Sequence, residues 1–272
     1  MLITSLVMSL NQLLPVAILL ILLQVIAKQS LLRLLGMLGL GIGLTFLFVK
    51  SAPIISPWFD YQGLEYTQIG FCILIFLWQV TLPKELFMGI TSFGLIPSDI
   101  YIYKIFSSMF LHGSWMHLIG NMAYLWIFGN NIEDYLGHIK FLIFYLFCGI
   151  CATLIHVFSD VNSTIPVVGA SGAISGILGA YLILYPKAKV RLLVFIGIIT
   201  ILRVRASIVL IFWFVYQFLS VLKSSGEGGG VAWWAHIGGF IAGILIIFLL
   251  GIPLLPPRAN IKDTIFTYAI YF

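Results

Sequence analysis

Residues 169–186 read Gly-Ala-Ser-Gly-Ala-Ile-Ser-Gly-Ile-Leu-Gly-Ala-Tyr-Leu-Ile-Leu-Tyr-Pro and contain no charged side chain. A helix needs about 20 mostly apolar residues to cross the hydrocarbon core of a bilayer. The stretch therefore predicts a membrane-spanning helix over 170–186. Small and hydroxyl-bearing residues are concentrated in its first two turns, which indicates a close helix contact or a polar site at that end.

The rest of the chain has the same apolar character. Of its 272 residues, 61% are hydrophobic and only 8% are charged, whereas about 25% of a soluble domain is charged. This composition excludes a soluble globular protein and predicts an all-α membrane protein, a polytopic helical bundle. Six predicted spans form its core: 66–83, 112–130, 140–158, 170–186, 204–222 and 232–250. Two further candidates, 6–27 and 34–50, lie upstream of them. The run 34–50 is short and glycine-rich, so its status as a span stays open.

The lysines and arginines predict the orientation, because cytoplasmic loops carry an excess of both. Six alternating spans put eight basic residues on one side and three on the other: Lys140, Lys187, Lys189, Arg191, Arg203, Arg205, Arg258 and Lys262 against Lys84, Lys104 and Lys223. The first group is predicted to be cytoplasmic. Lys28 and Arg33 would face outside if both upstream candidates span, and this conflict stays open. The net charge of +5 reflects these loops, so no nucleic-acid partner is predicted.

Three of the predicted spans, 112–130, 170–186 and 232–250, are separated by an even number of crossings and therefore run in the same direction. Their early residues should lie at a similar depth near the outer face. The unusual polar residues of the membrane domain occupy these early positions: His112, His117, Asn121, Ser171 and His236. Polar side chains in a membrane usually face the bundle interior, so we expect these residues to meet at one level.

A serine hydroxyl needs a base to become a nucleophile near neutral pH, and a neutral imidazole suits this role. Ser171 is therefore the candidate nucleophile and His236 its candidate base. The backbone N–H of Ser171 lies at a predicted helix N-terminus, where amides are unpaired and can donate to an oxyanion. His117 and Asn121 lie four residues apart on one helical face and can also donate. No aspartate or glutamate is placed to orient the histidine, so a serine–histidine dyad is predicted.

The glycines provide a reason for the serine and the histidine to meet. Gly172 and Gly176 form one G-x-x-x-G pattern, and Gly239 and Gly243 form another. This pattern lets membrane helices approach closely. Close approach would bring the serine within hydrogen-bonding reach of the histidine. Each signal is weak by itself, and the prediction rests on their joint occurrence.

Three other features have plainer interpretations. His156 belongs to no motif and is interpreted as structural. Cys148 and Cys151 form a C-x-x-C inside an apolar run without a second ligand pair, so we interpret them as small buried hydrophobes and predict no metal or other cofactor. Residues 224–230 are rich in glycine and serine and are either a simple connector or a movable cap, since they lead directly towards His236.

Together these residues closely resemble the rhomboid family, over roughly Tyr66 to Pro257. The resemblance is carried by Phe110-Leu111-His112 with His117 and Asn121, by Asn131-Ile132-Glu133-Asp134 with Gly137, by Gly169 to Gly176, and by Trp233 to Gly243. It implies a six-span protease that cuts membrane-anchored substrates near the outer face of the membrane. It also implies Ser171 as nucleophile, His236 as base, and His117 and Asn121 at the oxyanion hole.

Other positions of the resemblance concern the structure around the site. His112 is similar to the family's structural histidine beside the first extracytoplasmic loop, and Gly169 opens the serine motif. Some members carry Trp-Arg in that loop where this chain has Tyr103-Lys104, so its bracing is expected to differ. Some members stack a tyrosine against the base, four residues after the nucleophile. Ser175 stands there in this chain, so another group must orient the histidine.

We predict three parts: a hydrophobic extension at 1–65, a rhomboid protease membrane domain at 66–257 and a cytoplasmic tail at 258–272. The predicted function is a serine endopeptidase that cleaves single-span membrane proteins within or at the outer end of their transmembrane segments. The predicted location is the plasma membrane of a prokaryote, with lipid around the protein and the site on the extracytoplasmic side. The alternatives are an inactive rhomboid-like protein that binds membrane clients, and a transporter or channel, which the shallow uncharged cluster disfavours. The sequence does not give the substrate or the oligomeric state.

Overall fold

The computed structural model describes residues 63–82, 93–195, 199–223, 231–251 and 269–270. Residues 1–62 of the extension predicted at 1–65, the loop 224–230 and most of the tail at 258–272 lie outside the described residues. The described helices are α1 Leu64–Thr81, α2 Ile102–Ser107, α3 Trp115–Tyr124, a π-helical segment Leu125–Gly129, α4 Asn130–Leu136, α5 His138–Ser159, α6 Ser171–Leu184, α7 Ala206–Lys223 and α8 Trp233–Leu249. The strands are β1 Lys189–Phe195, β2 Ile199–Arg205 and β3 Ala269–Ile270. The protein is a helical membrane protein, as its composition predicts.

Helix α6 lies at the centre of the bundle, where it packs against α5, α7 and α8. Most of its residues are buried, including those on opposite faces of the helix. A helix that is apolar on every face is stable only when neighbouring helices surround it. Within the described residues, α1, α5 and α7 are long and apolar enough to cross a membrane, whereas α6 and α8 are shorter apolar helices.

The predicted span 112–130 differs most from the observed helix. The helix begins at Trp115, where the Ser114 hydroxyl caps it by accepting from the backbone N–H of His117 at 3.2 Å. It then continues with helical backbone angles through the π-helical segment and α4, and it ends at Gly137, whose φ is 78°. The hydropathy pattern stopped at the first acidic residues, but Glu133 is a fully buried part of the helix.

A small β-sheet follows α6, which the predicted all-α bundle does not include. β1 and β2 form an antiparallel hairpin in which Lys189 pairs with Arg205 and Arg191 with Arg203, and β3 adds to β1 in parallel. The predicted span 204–222 therefore begins at Ala206 instead. The available signal was the alternation of basic residues with valine at the start of β1 and the end of β2, since β-branched residues favour strands.

Candidate active site

Ser171 and His236 form a hydrogen-bonded pair between two helices. Ser171 is the first residue of α6, and His236 lies in the first turn of α8. The imidazole Nε2 is 2.8 Å from the serine Oγ, within the range of a good hydrogen bond. The His236 side chain is buried. The geometry is that of a nucleophile beside its base.

Backbone contact between α6 and α8 makes this pair possible. A Cβ on Gly239 would overlap the carbonyl oxygen of Gly172, and a Cβ on Gly243 would overlap that of Gly176. Both G-x-x-x-G patterns therefore face each other across the contact. Any side chain at these positions would force the two helices apart, and the serine and histidine with them.

The chain enters α6 through Gly169, whose φ of 126° strains any residue with a side chain. Its backbone N–H donates to the carbonyl of Ser108 at 2.8 Å, which fixes the loop before the serine. A Cβ at Gly169 would lie 2.7 Å from Nε2 of His117 and 3.6 Å from Nδ2 of Asn121. The same glycine thus lets the loop before Ser171 lie directly against both predicted oxyanion donors.

Three candidate oxyanion donors lie at Ser171 or beside the Gly169 loop that precedes it. The backbone N–H of Ser171 is at the N-terminus of α6, where helix geometry provides no acceptor for it. Asn121 is buried and donates through Nδ2 to the carbonyl of His117 at 3.0 Å. An amide nitrogen carries two hydrogens, so Asn121 retains one for a further acceptor. The ring of His117, which lies against Gly169, is the third candidate donor.

His112 lies in the loop before α3 and not in the helix. The side chain of Gln79 holds the backbone of His112 through two hydrogen bonds, both of 3.2 Å. Nε2 of Gln79 donates to the His112 carbonyl, and the His112 N–H donates to Oε1 of Gln79. The ring of His112 is fully buried and meets that of His117 edge-on at 5.3 Å. Neither ring nitrogen has a hydrogen-bond partner in the part of the chain that the structure describes. The ring of His112 therefore packs against the ring of His117 and supports it.

The other side of His236 contacts residues that the sequence analysis missed. Gln217, buried in α7, places its Oε1 2.8 Å from Nδ1 of His236. The ring of Trp213 lies against the imidazole, with centroids 5.8 Å apart and planes at 34°. Ser175 does not contact the histidine through a hydrogen bond, since its hydroxyl donates to the carbonyl of Ser171 at 2.6 Å. A polar side chain in a membrane helix is itself a signal of function, and Gln217 within the run 204–222 could have been found in this way.

A cavity opens beside Ser171. Its wall combines small and apolar residues with a few polar ones: Leu95, Ser108, Met109, Gly149, Ala152, Thr153, His156, Val167, Val168, Gly169, Ser171, Gly172, Ala173, Ala232 and Ala235. His156, interpreted from sequence as structural, is therefore part of this wall. Its Nδ1 is buried without a hydrogen-bond partner among the described residues. The cavity offers limited space next to Ser171.

The loop before α3 is held by the cation Lys104, which takes the place of the Trp-Arg pair of some rhomboids with different contacts. Lys104 is buried, and its Nζ contacts the Asp99 carboxylate at 2.6 Å and lies 5.0 Å from the centre of the Tyr101 ring.

Cys148 and Cys151 are free thiols. Among residues 63–82, 93–195, 199–223, 231–251 and 269–270, no three histidine, cysteine or acidic side chains are grouped to hold a metal ion.

A family model described as Rhomboid domain matches residues 100–253, more than half of the chain. The chain belongs to the rhomboid family. It is 31% identical over 177 residues to Rhomboid protein 1, mitochondrial, of Saccharomyces cerevisiae, covering 62% of this chain and 50% of that protein. It is 34% identical over 153 residues to Rhomboid protease GluP of Bacillus subtilis, covering 56% of this chain and 26% of that protein.

A third relative is Presenilin-associated rhomboid-like protein A, mitochondrial, of Danio rerio, which is 31% identical over 148 residues. The match covers 52% of this chain and 35% of that protein. The chain thus spans about half or less of the length of these rhomboid relatives. The matched region includes α3 to α8, and with them Ser171, His236, His117, Asn121 and Gln217.

Proposed function

We propose that this rhomboid is an active intramembrane serine endopeptidase, with Ser171 as nucleophile and His236 as base. The observation that carries the proposal is the 2.8 Å contact between Nε2 of His236 and Oγ of Ser171. Membership of a family that includes a protein named as a protease supports it. A client-binding protein without activity would not need this pair.

The reaction would follow the general course of acyl transfer. His236 takes the proton of the Ser171 hydroxyl as Oγ bonds to the scissile carbonyl carbon, and the carbonyl oxygen becomes an oxyanion. The backbone N–H of Ser171 and the side chains of His117 and Asn121 donate to that oxyanion. The protonated imidazole then gives its proton to the leaving amine, and water hydrolyses the acyl-enzyme by the same steps.

Substitution of the serine tests the proposal directly. Ser171→Ala should abolish cleavage by the purified protein while insertion and thermal unfolding stay unchanged. A fluorophosphonate probe should label the wild type at Ser171 alone, as located by mass spectrometry of the modified peptide. Substantial cleavage by Ser171→Ala would contradict the assignment. A wild type that is folded, neither cleaves nor reacts with the probe, and still binds membrane proteins would be the inactive client-binding protein.

The substrates that fit this site are membrane-anchored proteins, and we propose single-span ones. A protease can reach a peptide bond only where the substrate backbone is extended, so a substrate helix must unwind locally. Each unpaired backbone group in hydrocarbon costs several kcal/mol. Cleavage should therefore fall near the outer end of the substrate's span, where water can solvate the exposed groups.

The cavity beside Ser171 supports a further restriction, to a small residue such as alanine before the scissile bond. Mass spectrometry of products from a panel of single-span substrates would locate the cuts. We expect them near the outer end of the span, and helix-weakening Gly, Ser or Pro just inside the cut should accelerate cleavage. Cuts centred deep in the span, or no loss when those residues become leucine, would count against this substrate model.

For the topology, we propose that the Ser171 end faces the side opposite the basic loops. The relatives do not support the predicted prokaryotic plasma membrane, because several of their names place them in mitochondria or chloroplasts. The proposal is therefore limited to a multi-pass membrane protein. The boundaries 1–65, 66–257 and 258–272 remain proposals as well.

A further inference from the structure

We propose that Gln217 is the positioning residue of His236, and that it selects the imidazole tautomer able to act as a base. The inference rests on the proposed function and goes beyond it, since a serine–histidine dyad does not specify what holds the histidine. The contact that carries it is the 2.8 Å approach of Gln217 Oε1 to Nδ1 of His236.

The two ring nitrogens of His236 have separate partners. Nε2 faces the hydroxyl of Ser171, and Nδ1 faces the amide oxygen of Gln217. A neutral imidazole has one nitrogen with a proton and one with a free lone pair. A carbonyl oxygen can only accept a hydrogen bond, so Nδ1 must carry the proton. Nε2 then has its lone pair directed at the serine hydroxyl, which is the arrangement that base catalysis requires.

Gln217 is itself held in place by burial and by its helix. It is 3% exposed within an otherwise apolar stretch of α7, where an amide oxygen without a donor would be costly. Trp213 lies four residues earlier on the same face and covers one side of the imidazole. Trp233 meets the ring edge-on at 6.2 Å. The glutamine thus fixes the proton position, while the two indoles fix the plane of the ring.

The contact also stabilises the histidine once it is protonated. After accepting the serine proton, the imidazolium donates from both nitrogens, and Nδ1–H keeps the Gln217 oxygen as acceptor. Hydrogen bonds to a charged group are roughly twice as strong as neutral ones, so this bond strengthens as the charge develops. The reverse orientation of the amide would place its NH₂ against Nδ1, move the proton to Nε2 and block the base.

Two substitutions separate positioning from packing. Gln217→Met has a similar length and no amide, whereas Gln217→Glu has oxygens that can accept from Nδ1. We expect Gln217→Met to lower kcat by about 10- to 100-fold, the size expected for misorientation of a catalytic group, with KM changed less than about twofold. Gln217→Glu should restore most of the loss. Gln68→Met is the matched control, because Gln68 is also buried in a membrane helix but its amide has no hydrogen-bond partner among the described residues.

The protonation of the His236 ring nitrogens can also be measured directly, without substrate, which tests the inference independently of activity. Nitrogen-15 NMR of histidine-labelled protein distinguishes protonated from unprotonated ring nitrogens, and His236→Ala identifies the signal among the five histidines. We expect the wild type to show a protonated Nδ1 and an unprotonated Nε2, and Gln217→Met to show a mixture. A protonated Nε2 in the neutral wild-type ring would overturn the inference, as would folded Gln217→Met with wild-type kcat. Equal loss in Gln217→Met and Gln217→Glu would also overturn it. Failure of Ser171 to react with the probe would instead reject the protease function, while the NMR result still decides the tautomer.

Discussion

The helical bundle has two polar ends that satisfy their buried groups in different ways. At the Ser171 end, which comprises Ser171, His236, Gln217 and Asn121, the decisive contacts join neutral side chains. At the Glu133 end, a fully buried carboxylate accepts from two backbone N–H groups at the start of α1, Leu64 at 2.6 Å and Glu65 at 2.8 Å. The exposed ring of His138 contacts the same carboxylate at 2.5 Å. Glu65 is the exception there, since its own carboxyl oxygens are buried without a partner among the described residues.

This difference suggests that the Ser171 end serves the chemistry of the protein and the Glu133 end its stability. Neutral hydrogen-bonded side chains can change partners without leaving a lone charge in an apolar interior. A carboxylate fixed by backbone donors cannot exchange partners unless α1 moves. Its charge also interacts favourably with the positive end of the α1 dipole. We therefore expect substitutions at the Ser171 end to reduce activity with little effect on unfolding, and those at the Glu133 end to do the reverse.

The largest effect should come from removal of the proposed base, His236. His236→Ala should lower kcat by about 10⁴-fold or more, because the same group serves both acylation and deacylation. The melting temperature in detergent should remain close to that of the wild type. His138→Ala makes the same substitution at the Glu133 end and should keep full activity. A His236→Ala protein that retains a tenth of the activity would remove the distinction between the two ends.

A smaller effect is expected at Asn121. Asn121→Ala removes one of the three proposed oxyanion donors, and loss of a single oxyanion donor typically lowers kcat by about 10²- to 10³-fold. The measurement is steady-state cleavage of a membrane-anchored substrate, with Asn130→Ala in α4 as the matched control. The order of the two losses is informative. If Asn121→Ala were more damaging than His236→Ala, the roles of base and oxyanion donor would be misassigned.

Much of the Ser171 end could be predicted from the sequence, because its signals are strong in a membrane protein. Polar residues at equivalent depths in parallel spans are few, and the G-x-x-x-G patterns predict which helices meet. The structure brings Ser171, His236, His117 and Asn121 to one region. Gln217 was missed because it lies in a span that runs in the opposite direction, and depth alone does not show which face of that helix points inward.

The Glu133 end was less accessible from sequence. Hydropathy treats an acidic residue as the end of a span, so it could not show that Glu133 continues the helix and binds the start of α1. The hairpin of β1 and β2 was missed for a related reason. A search for apolar runs of about 20 residues does not detect strands of seven residues with basic residues at their outer ends.

The last prediction concerns Glu133 and should give the smallest effect on activity. Glu133→Gln keeps the size of the side chain but replaces one acceptor oxygen with an NH₂ group. That group would face a backbone N–H of α1, so one hydrogen bond is lost and a buried donor is left without an acceptor. We expect the free energy of unfolding to fall by about 1–3 kcal/mol, the usual penalty for a buried unsatisfied polar group.

The measurement compares thermal unfolding with kcat in the same detergent preparation. Asp134→Asn is the matched control, because it neutralises the adjacent carboxylate, which is exposed, and should leave both quantities unchanged. Glu133→Gln should unfold at a lower temperature and keep kcat within about twofold below that temperature, because the hydrogen bonds of the Glu133 side chain within the described residues are with the start of α1 and with His138. Normal unfolding with a large loss of kcat would show that the two ends are coupled. In that case the start of α1 would have to transmit its position along the helix to Gln79, whose side chain holds the backbone of His112 beside the His117 ring.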